Sequence, residues 1–481
     1  MASEIRVNKI ENRSGLGTVT FADTGVDLAG IVTATTFSGS GASLTALPAA
    51  SLTGTVADAR FPATLPAISA ANLTNVPAAN VVGVHTSLTV TNATTTGTAV
   101  VGGGVTISES GIEASGIGIT VANINGTQIG GRRNLIINGA MNVAQRGTSS
   151  TTVGYQTVDR MTSYSGGLDE SPTYSQADVA SGTTPYTNGF RKSFKIQNGN
   201  QTSGAGADDH IVFEYRIEDQ DLATSGWNYT SATSYITMSF WVKSSVAQNF
   251  YFNLQSDNGS QYRYVMETGS LTANTWTKII KTIPGNSNIV LNNDSGIGMY
   301  INWHLFDGTN RTGTRPLDAW AALDNASRTP DQTSTWYTTN DATFEFTGFQ
   351  LEVGSQATAF EHRSFDEELS NCHRYFQTLT QGALGTGVVN GGGEASRVHI
   401  KLLRPMRAAP TVAITGTISF WDGTVTRTYN GFSGVYVVHN FAFDFDTSSS
   451  EATAGSAMTH GRACCLYSNV SSGGFTCSSE L

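Results

Sequence analysis

The residues best suited to chemistry lie in a glycine-punctuated stretch near the distal end. Trp421, Asp422, Arg427, Tyr429, Asn430 and Phe432 fall within twelve positions, between and around Gly423 and Gly431. Aromatic faces stack on the C–H faces of sugars, while carboxylate, guanidinium and amide groups bond hydroxyls in pairs. This set is the candidate ligand-binding site, set against the plainer reading that Trp421 and Phe432 belong to a core. Trp303, Asp307, Trp336 and Tyr337 form a second set with the same ambiguity. The basic residues Arg397, Lys401, Arg404 and Arg407 suit either an anionic surface or pairing between chains.

Enzyme signatures are missing. The chain has no H-E-x-x-H, no G-x-S-x-G, no P-loop and no complete G-x-G-x-x-G. Asp444 and Asp446 share one strand face at about 7 Å, a spacing a glycosidase can use. They also alternate with Phe443 and Phe445, as outward positions do. Asp208-Asp209-His210 reads as a loop. The expectation is a non-enzyme that needs no cofactor. Cys464, Cys465 and Cys477 with His460 fit no standard zinc spacing. Together with Cys372 they make a poor disulfide framework, so reduced thiols and cytoplasmic synthesis are expected.

Positioning these residues calls for strands. Charged residues are 13 % of the 481, against about 25 % in ordinary soluble proteins. The 52 glycines and abundant Thr, Ser and Asn favour turns and strands. Net charge is −10, which argues against binding nucleic acid by phosphate neutralisation. The opening MASEIRVNKIENRSG lacks the apolar centre of a secretion signal, and no run is long enough to span a membrane.

The chain changes character along its length. Residues 1–130 contain neither Trp nor Tyr, and Phe61 to Ser108 contain no Asp, Glu, Lys or Arg. ASLTALPAASLTG at 42–54 is repeated as ANLTNVPAANVVG at 71–83. Such a segment buries little alone but more when identical chains wrap one axis, so a thin self-associating stalk is expected; a disordered linker is the alternative. From 132 to 364 strand patterns follow one another, at Tyr235–Lys243, Trp276–Ile283 and Thr343–Leu351, as in a two-sheet sandwich. Ser364-Phe-Asp-Glu367 fits a capping box for a helix whose apolar face is Leu369, Cys372, Phe376 and Leu379, ended by Gly382. Strand patterns return at Val398–Leu402, Thr411–Thr415 and Tyr436–Phe441.

Three segments resemble bacteriophage tail-fibre proteins, especially those of cyanophages: EIRVNKIENRSGLGTVTFADTGVDLAGIVTATTFS at 4–38, NLIINGAMNVAQRGTSSTTVGYQTVDRM at 134–161, and FTGFQLEVGSQATAFEHRSFDEELSNCHRYF from Phe346. MRAAPTV at 406–412 and the terminal SSEL resemble a fibre tip. The resemblance implies a mainly β protein with a fibrous trimeric stalk, a jelly-roll sandwich akin to carbohydrate-binding modules, one short linking helix and a small β-sandwich tip. Its regions would be 1–45, virion-proximal; 46–130, a shaft; 131–364, the jelly roll; and 365–481, the helix and receptor-binding tip. It implies a virion appendage made in the host cytoplasm. The partners would be two further copies of the chain, phage tail or baseplate proteins, and host surface polysaccharide or lipopolysaccharide. A depolymerase and a purely structural spacer stay open. Jelly rolls of this kind often bind structural calcium, which gives Gln350 and Glu352 a ligand reading beside the plainer one of solvent-facing strand positions.

Overall fold

The computed structural model describes residues 9–11, 18–23, 25–28, a few positions between 30 and 45, and 133–481 except 381, 433 and 469–472. The expected shaft at 46–130 lies outside the described residues. The chain divides into two compact units, Met1–Gly111 and Ile112–Leu481. In the first, β1 (Lys9–Glu11), β2 (Thr18–Ala22) and β3 (Gly25–Leu28) form an antiparallel sheet.

The second unit begins with a two-sheet sandwich, as the strand patterns predict. Its strands are β4 (Ser149–Ser150), β5 (Met161–Gly166), β6 (Thr173–Asp178), β7 (Lys192–Gln197), β8 (His210–Glu218), β9 (Tyr235–Ser244), β10 (Tyr251–Ser256), β11 (Tyr262–Glu267), β12 (Thr277–Pro284), β13 (Ile297–Asp307), β14 (Trp320–Ala322) and β15 (Thr343–Val353). One sheet has the order β14-β11-β10-β13-β8-β5 and the other β12-β9-β15-β7-β6-β4. Aromatic side chains fill the space between them. Trp303 stacks on Phe213 at 4.9 Å between ring centres and meets Phe346 and Phe349 edge-on at 4.7 and 5.0 Å. Trp336 and Tyr337 are also core, so neither they nor Trp303 offers a face to a ligand.

Strand β15 shows how one glycine sets a face. Side chains alternate along a strand, so Phe344 and Phe346 on the core side would put Phe349 and Leu351 on the other. All four are nevertheless in the core. The register against β9 slips between Thr347 and Gln350, and Gly348 adopts φ +65° there. This bulge inserts one residue and restores the inward face. The opposite side of β15 is not in solvent as expected. Gln350 and Glu352 are buried beneath the chain at 358–361. Glu352 accepts bonds from Thr358 N (2.8 Å) and Thr358 Oγ1 (2.6 Å), and Gln350 Oε1 accepts from Glu361 N (2.8 Å). These oxygens tie a returning loop to the sheet.

The helix is shorter than its apolar pattern predicts. It covers Phe365–Cys372, with Ser364 Oγ accepting from Glu367 N at 3.2 Å. Phe376 and Leu379, expected on its apolar face, lie instead on a strand, Phe376–Thr380. Both are buried, because a three- or four-residue spacing of apolar groups also suits two successive elements meeting one core. That strand, Gly474–Ser478 and Thr411–Thr415 make a three-stranded sheet. It packs on an eight-stranded sheet running from Gly434–Val438 to Ala452–Ala454, with Phe420, Tyr429, Phe443, Phe445 and Phe475 between the two. The mainly β architecture with a sandwich-like tip is therefore as expected.

Candidate functional site

The predicted distal set is split by the fold. Trp421 closes its strand on the surface and is 51 % exposed. With Thr426, Cys465 and Tyr467 it lines a shallow open hollow of about 380 Å³. Asn430 is exposed too. The other four have internal duties. Asp422 is buried and accepts from Thr459 N (2.6 Å), Val425 N (2.9 Å) and Thr424 Oγ1 (2.7 Å), bonds that hold its carboxyl far below the usual range. Arg427 pairs with Glu394 at 2.6 Å, and Tyr429 OH donates to the same carboxylate at 2.6 Å. Phe432 packs on the tip core beside Phe445. Of the basic set, Arg404 donates to Ser370 O, and Arg407 to Ser479 O and Ser295 O. Asp444 Oδ1 lies 2.7 Å from His399 Nδ1, in position to accept from it.

A deeper site lies on the outer face of the β14-to-β5 sheet. Alternation puts Phe213, Tyr215, Ile301, Trp303, Phe252 and Leu254 in the core, so Val212, Glu214, Arg216, Tyr300, Asn302, His304, Asn253, Gln255 and Arg263 point the other way. Register aligns them in rows: Asn302 lies opposite both Glu214 and Asn253, and Gln255 opposite both Tyr300 and Arg263. An outer face in water would leave these groups exposed. Here Glu214, Asn253, Gln255, Arg263, Asn302 and His304 are all buried. All but Asn253, which lies beneath His304 and Asn302, form the floor of a cleft of about 390 Å³, walled by Tyr164, Arg311, Asn325 and Arg328. That volume falls within the common range for small-molecule sites.

The floor is cross-linked. Asn253 Nδ2 bonds His304 Nε2 at 2.7 Å, and His304 Nδ1 bonds Asp307. With Asn253 donating, the imidazole proton sits on Nδ1. Asn302 Nδ2 donates to Asn253 Oδ1 (3.2 Å). Arg216 Nε donates to Glu214 Oε1 (2.5 Å), and its guanidinium lies 5.9 and 5.6 Å from the ring centres of Tyr164 and Tyr300. Burial raises the Glu214 carboxyl above its ordinary range, against the pull of Arg216. Arg263 directs Nε and Nη2 to Gln255 Oε1 at 3.2 and 2.7 Å, while its buried Nη1 has no hydrogen-bond partner. Such a network fixes side chains in place and presents polar atoms and two tyrosine rings to whatever enters. The lining contains one carboxylate, Glu214, where glycoside hydrolysis uses two.

Two candidates from the sequence touch this cleft: Asp307, which bonds His304 in its floor, and Asp208-Asp209-His210 at its edge. His210 begins β8 and lines the cleft, while Asp209 is buried and accepts from Tyr337 OH at 2.8 Å. The remaining signal was the kind of residue at outward strand positions: Asn, Gln, His and Arg in place of Thr and Lys. No group of His, Cys, Asp and Glu among the described residues is arranged to hold a metal ion. The four cysteines are free thiols.

Comparison of the sequence with protein-family models and with curated proteins gives no match. Solved structures that the fold matches include the enzymatically active domain of tailspike protein 4 of bacteriophage CBA120, at 8 % identity and TM-score 0.25, covering 46 % of this chain and 21 % of that one. The chain thus spans well under two thirds of that tailspike. A family 11 carbohydrate-binding module from Clostridium thermocellum matches at 15 % identity and TM-score 0.20, covering 45 % and 98 %. A family 30 carbohydrate binding module matches at 7 % identity and TM-score 0.21, covering 47 % and 91 %.

Proposed function

We propose that this chain is a glycan-binding subunit of a phage tail fibre, which attaches to host surface polysaccharide without cleaving it. The observation that carries the binding reading is the polar sheet face that floors the cleft. Gln255, Asn302 and Arg263 lie buried at the floor of this cleft, and Arg263 Nη1 has no partner, so their hydrogen-bonding capacity suits a ligand that enters it. Tyr164 and Tyr300 add stacking faces beside them. The single lining carboxylate favours binding over hydrolysis.

As a homotrimer the fibre would carry three such sites, and several fibres per particle would turn weak contacts into stable attachment. A glycan array probed with the intact protein tests binding, and light scattering tests for a mass of three times 50.8 kDa. Released oligosaccharides after incubation with a bound glycan would point to a depolymerase instead. No binding to any glycan would leave the spacer reading.

The exposed Trp421 supports a second contact at the tip. Its ring borders an open hollow with Tyr467 and Thr426, where a sugar can lie flat against it. Loss of cell adsorption in Trp421→Ala, with cleft variants unaffected, would place attachment there.

A further inference from the structure

We infer that the sheet-face cleft is built for an anionic glycan, a polysaccharide whose rings carry carboxylate or sulfate groups; this rests on the glycan reading of the same cleft. The charges lining it are unequal. Arg216, Arg263, Arg311 and Arg328 face a single carboxylate, Glu214. Arg216 already pairs with Glu214 at 2.5 Å. No carboxylate among the described residues lies within ion-pair distance of the other three.

The fold brings these three together at a cost. The chain after β13 loops round to run parallel to itself, so that Thr312 bridges Thr329 and Arg328 N donates to Arg311 O at 2.7 Å. This sets two half-buried guanidinium groups on one wall. Arg263 lies in the floor, 4 % exposed, with Nη1 unpartnered. Burial first, then Arg328 and Arg315, push its pKa down to about 10, while Asp307 and Asp324 pull the other way. Asp307 spends one oxygen on His304. Like charges crowded in a partly desolvated site are expensive unless a counter-charge arrives. A neutral sugar would need the amides and tyrosines but not this excess. A carboxylate or sulfate suits it, since guanidinium binds both through two parallel bonds.

The test is affinity electrophoresis of the full chain through gels containing alginate, polygalacturonate or dextran sulfate, and in parallel fully methyl-esterified polygalacturonate, dextran or laminarin. We expect retardation by at least one acidic polymer, with carboxylate and sulfate separated by which one acts. The neutral polymers should bind at least about tenfold more weakly, the worth of one charge-assisted contact. Arg263→Gln and Arg328→Gln should each weaken retardation about tenfold by the same measure. Arg328 is half-buried on a loop, so its variant stays informative if Arg263→Gln fails to fold. Lys278→Gln, with the same charge change on the exposed side of the other sheet, should have no effect. Equal retardation by neutral polymers overturns the inference while the glycan reading stands. Acidic binding indifferent to both arginine variants also overturns it. No retardation by any polymer overturns both.

Discussion

Arg374 grips Glu218 with two hydrogen bonds, Nε to Oε2 at 2.8 Å and Nη2 to Oε1 at 2.5 Å, across 156 residues of sequence. Tyr375 OH adds a third to the same carboxylate at 2.8 Å. Glu218 ends β8 of the sandwich, and Arg374 follows the helix that opens the tip, so the pair joins the two. Removing one partner of a buried pair strands the other charge. Arg374→Met should therefore cost about 3–5 kcal/mol in urea unfolding of the full chain. Adding Glu218→Gln should recover part of that loss. Equal stability of wild type and single variant would show that the joint rests on other contacts.

Trp421→Ala should behave as a surface change, shifting stability by about 0.5 kcal/mol or less in thermal melting. If the tip hollow holds sugar, the same variant should lose about 1–3 kcal/mol of binding per site, by analogy with bases stacked on aromatic rings. Host-cell adsorption read beside the melt separates these effects. A large fall in melting temperature would count against the exposed position of the ring.

Gly348→Ala should destabilise the sandwich by about 1–3 kcal/mol, since a left-handed backbone is strained for any residue with a Cβ. Space adds to the strain. A Cβ there would lie 2.7 Å from Phe190 Cζ and 3.0 Å from Trp241 Cδ1. Denaturant midpoints of the variant and wild type check this, and a neutral outcome would mean the bulge can move.

Glu214 predicts a pH dependence. Burial raises its folded pKa, so the folded protein holds this proton more tightly than the unfolded chain does. Its contribution to stability is then fully present below the unfolded value of about 4.3 and lost as pH rises through the folded value. Burial acts in the same direction on Asp159, Asp219 and Glu368. Glu214→Gln lacks this one term, so its melting temperature relative to wild type should improve on going from about pH 4.5 to 7. A difference independent of pH would contradict the raised value.

Local patterns predicted what local rules decide. Tyr235–Lys243 and Thr343–Leu351 match β9 and β15 to within two residues, because alternation with β-branched and aromatic residues specifies a strand wherever it packs. The apolar pattern runs past the helix because nothing local separates Phe376 and Leu379 on a helix from the same residues on the next strand. The burial of Gln350 and Glu352 depends on where residues 358–361 return, which alternation cannot state. The cleft was hidden for the same reason. Glu214, Gln255, Arg263, Asn302 and Arg328 come from four strands and a loop, and only strand order makes them neighbours. At the distal site composition leaves Trp421 open between a stacking face and the core, and the fold puts it on the surface with Asn430. Asp422, Arg427, Tyr429 and Phe432 are drawn inward by loop amides, by Glu394 and by the tip core.

Arg216 serves two places at once. Besides Glu214 in the cleft, its guanidinium holds the Leu481 backbone oxygen, while Arg407 holds Ser479 and Glu480 and Arg160 pairs with the Glu480 side chain. A polymer anchored beside Glu214 and pulled by flow would therefore load the final segment directly through Arg216. From there the tension would spread into the three-stranded sheet by way of Ser478, the last residue of its central strand. The load would be shared among several side-chain bonds in parallel, as in a riveted plate, and would not fall on the backbone at 358–365 alone.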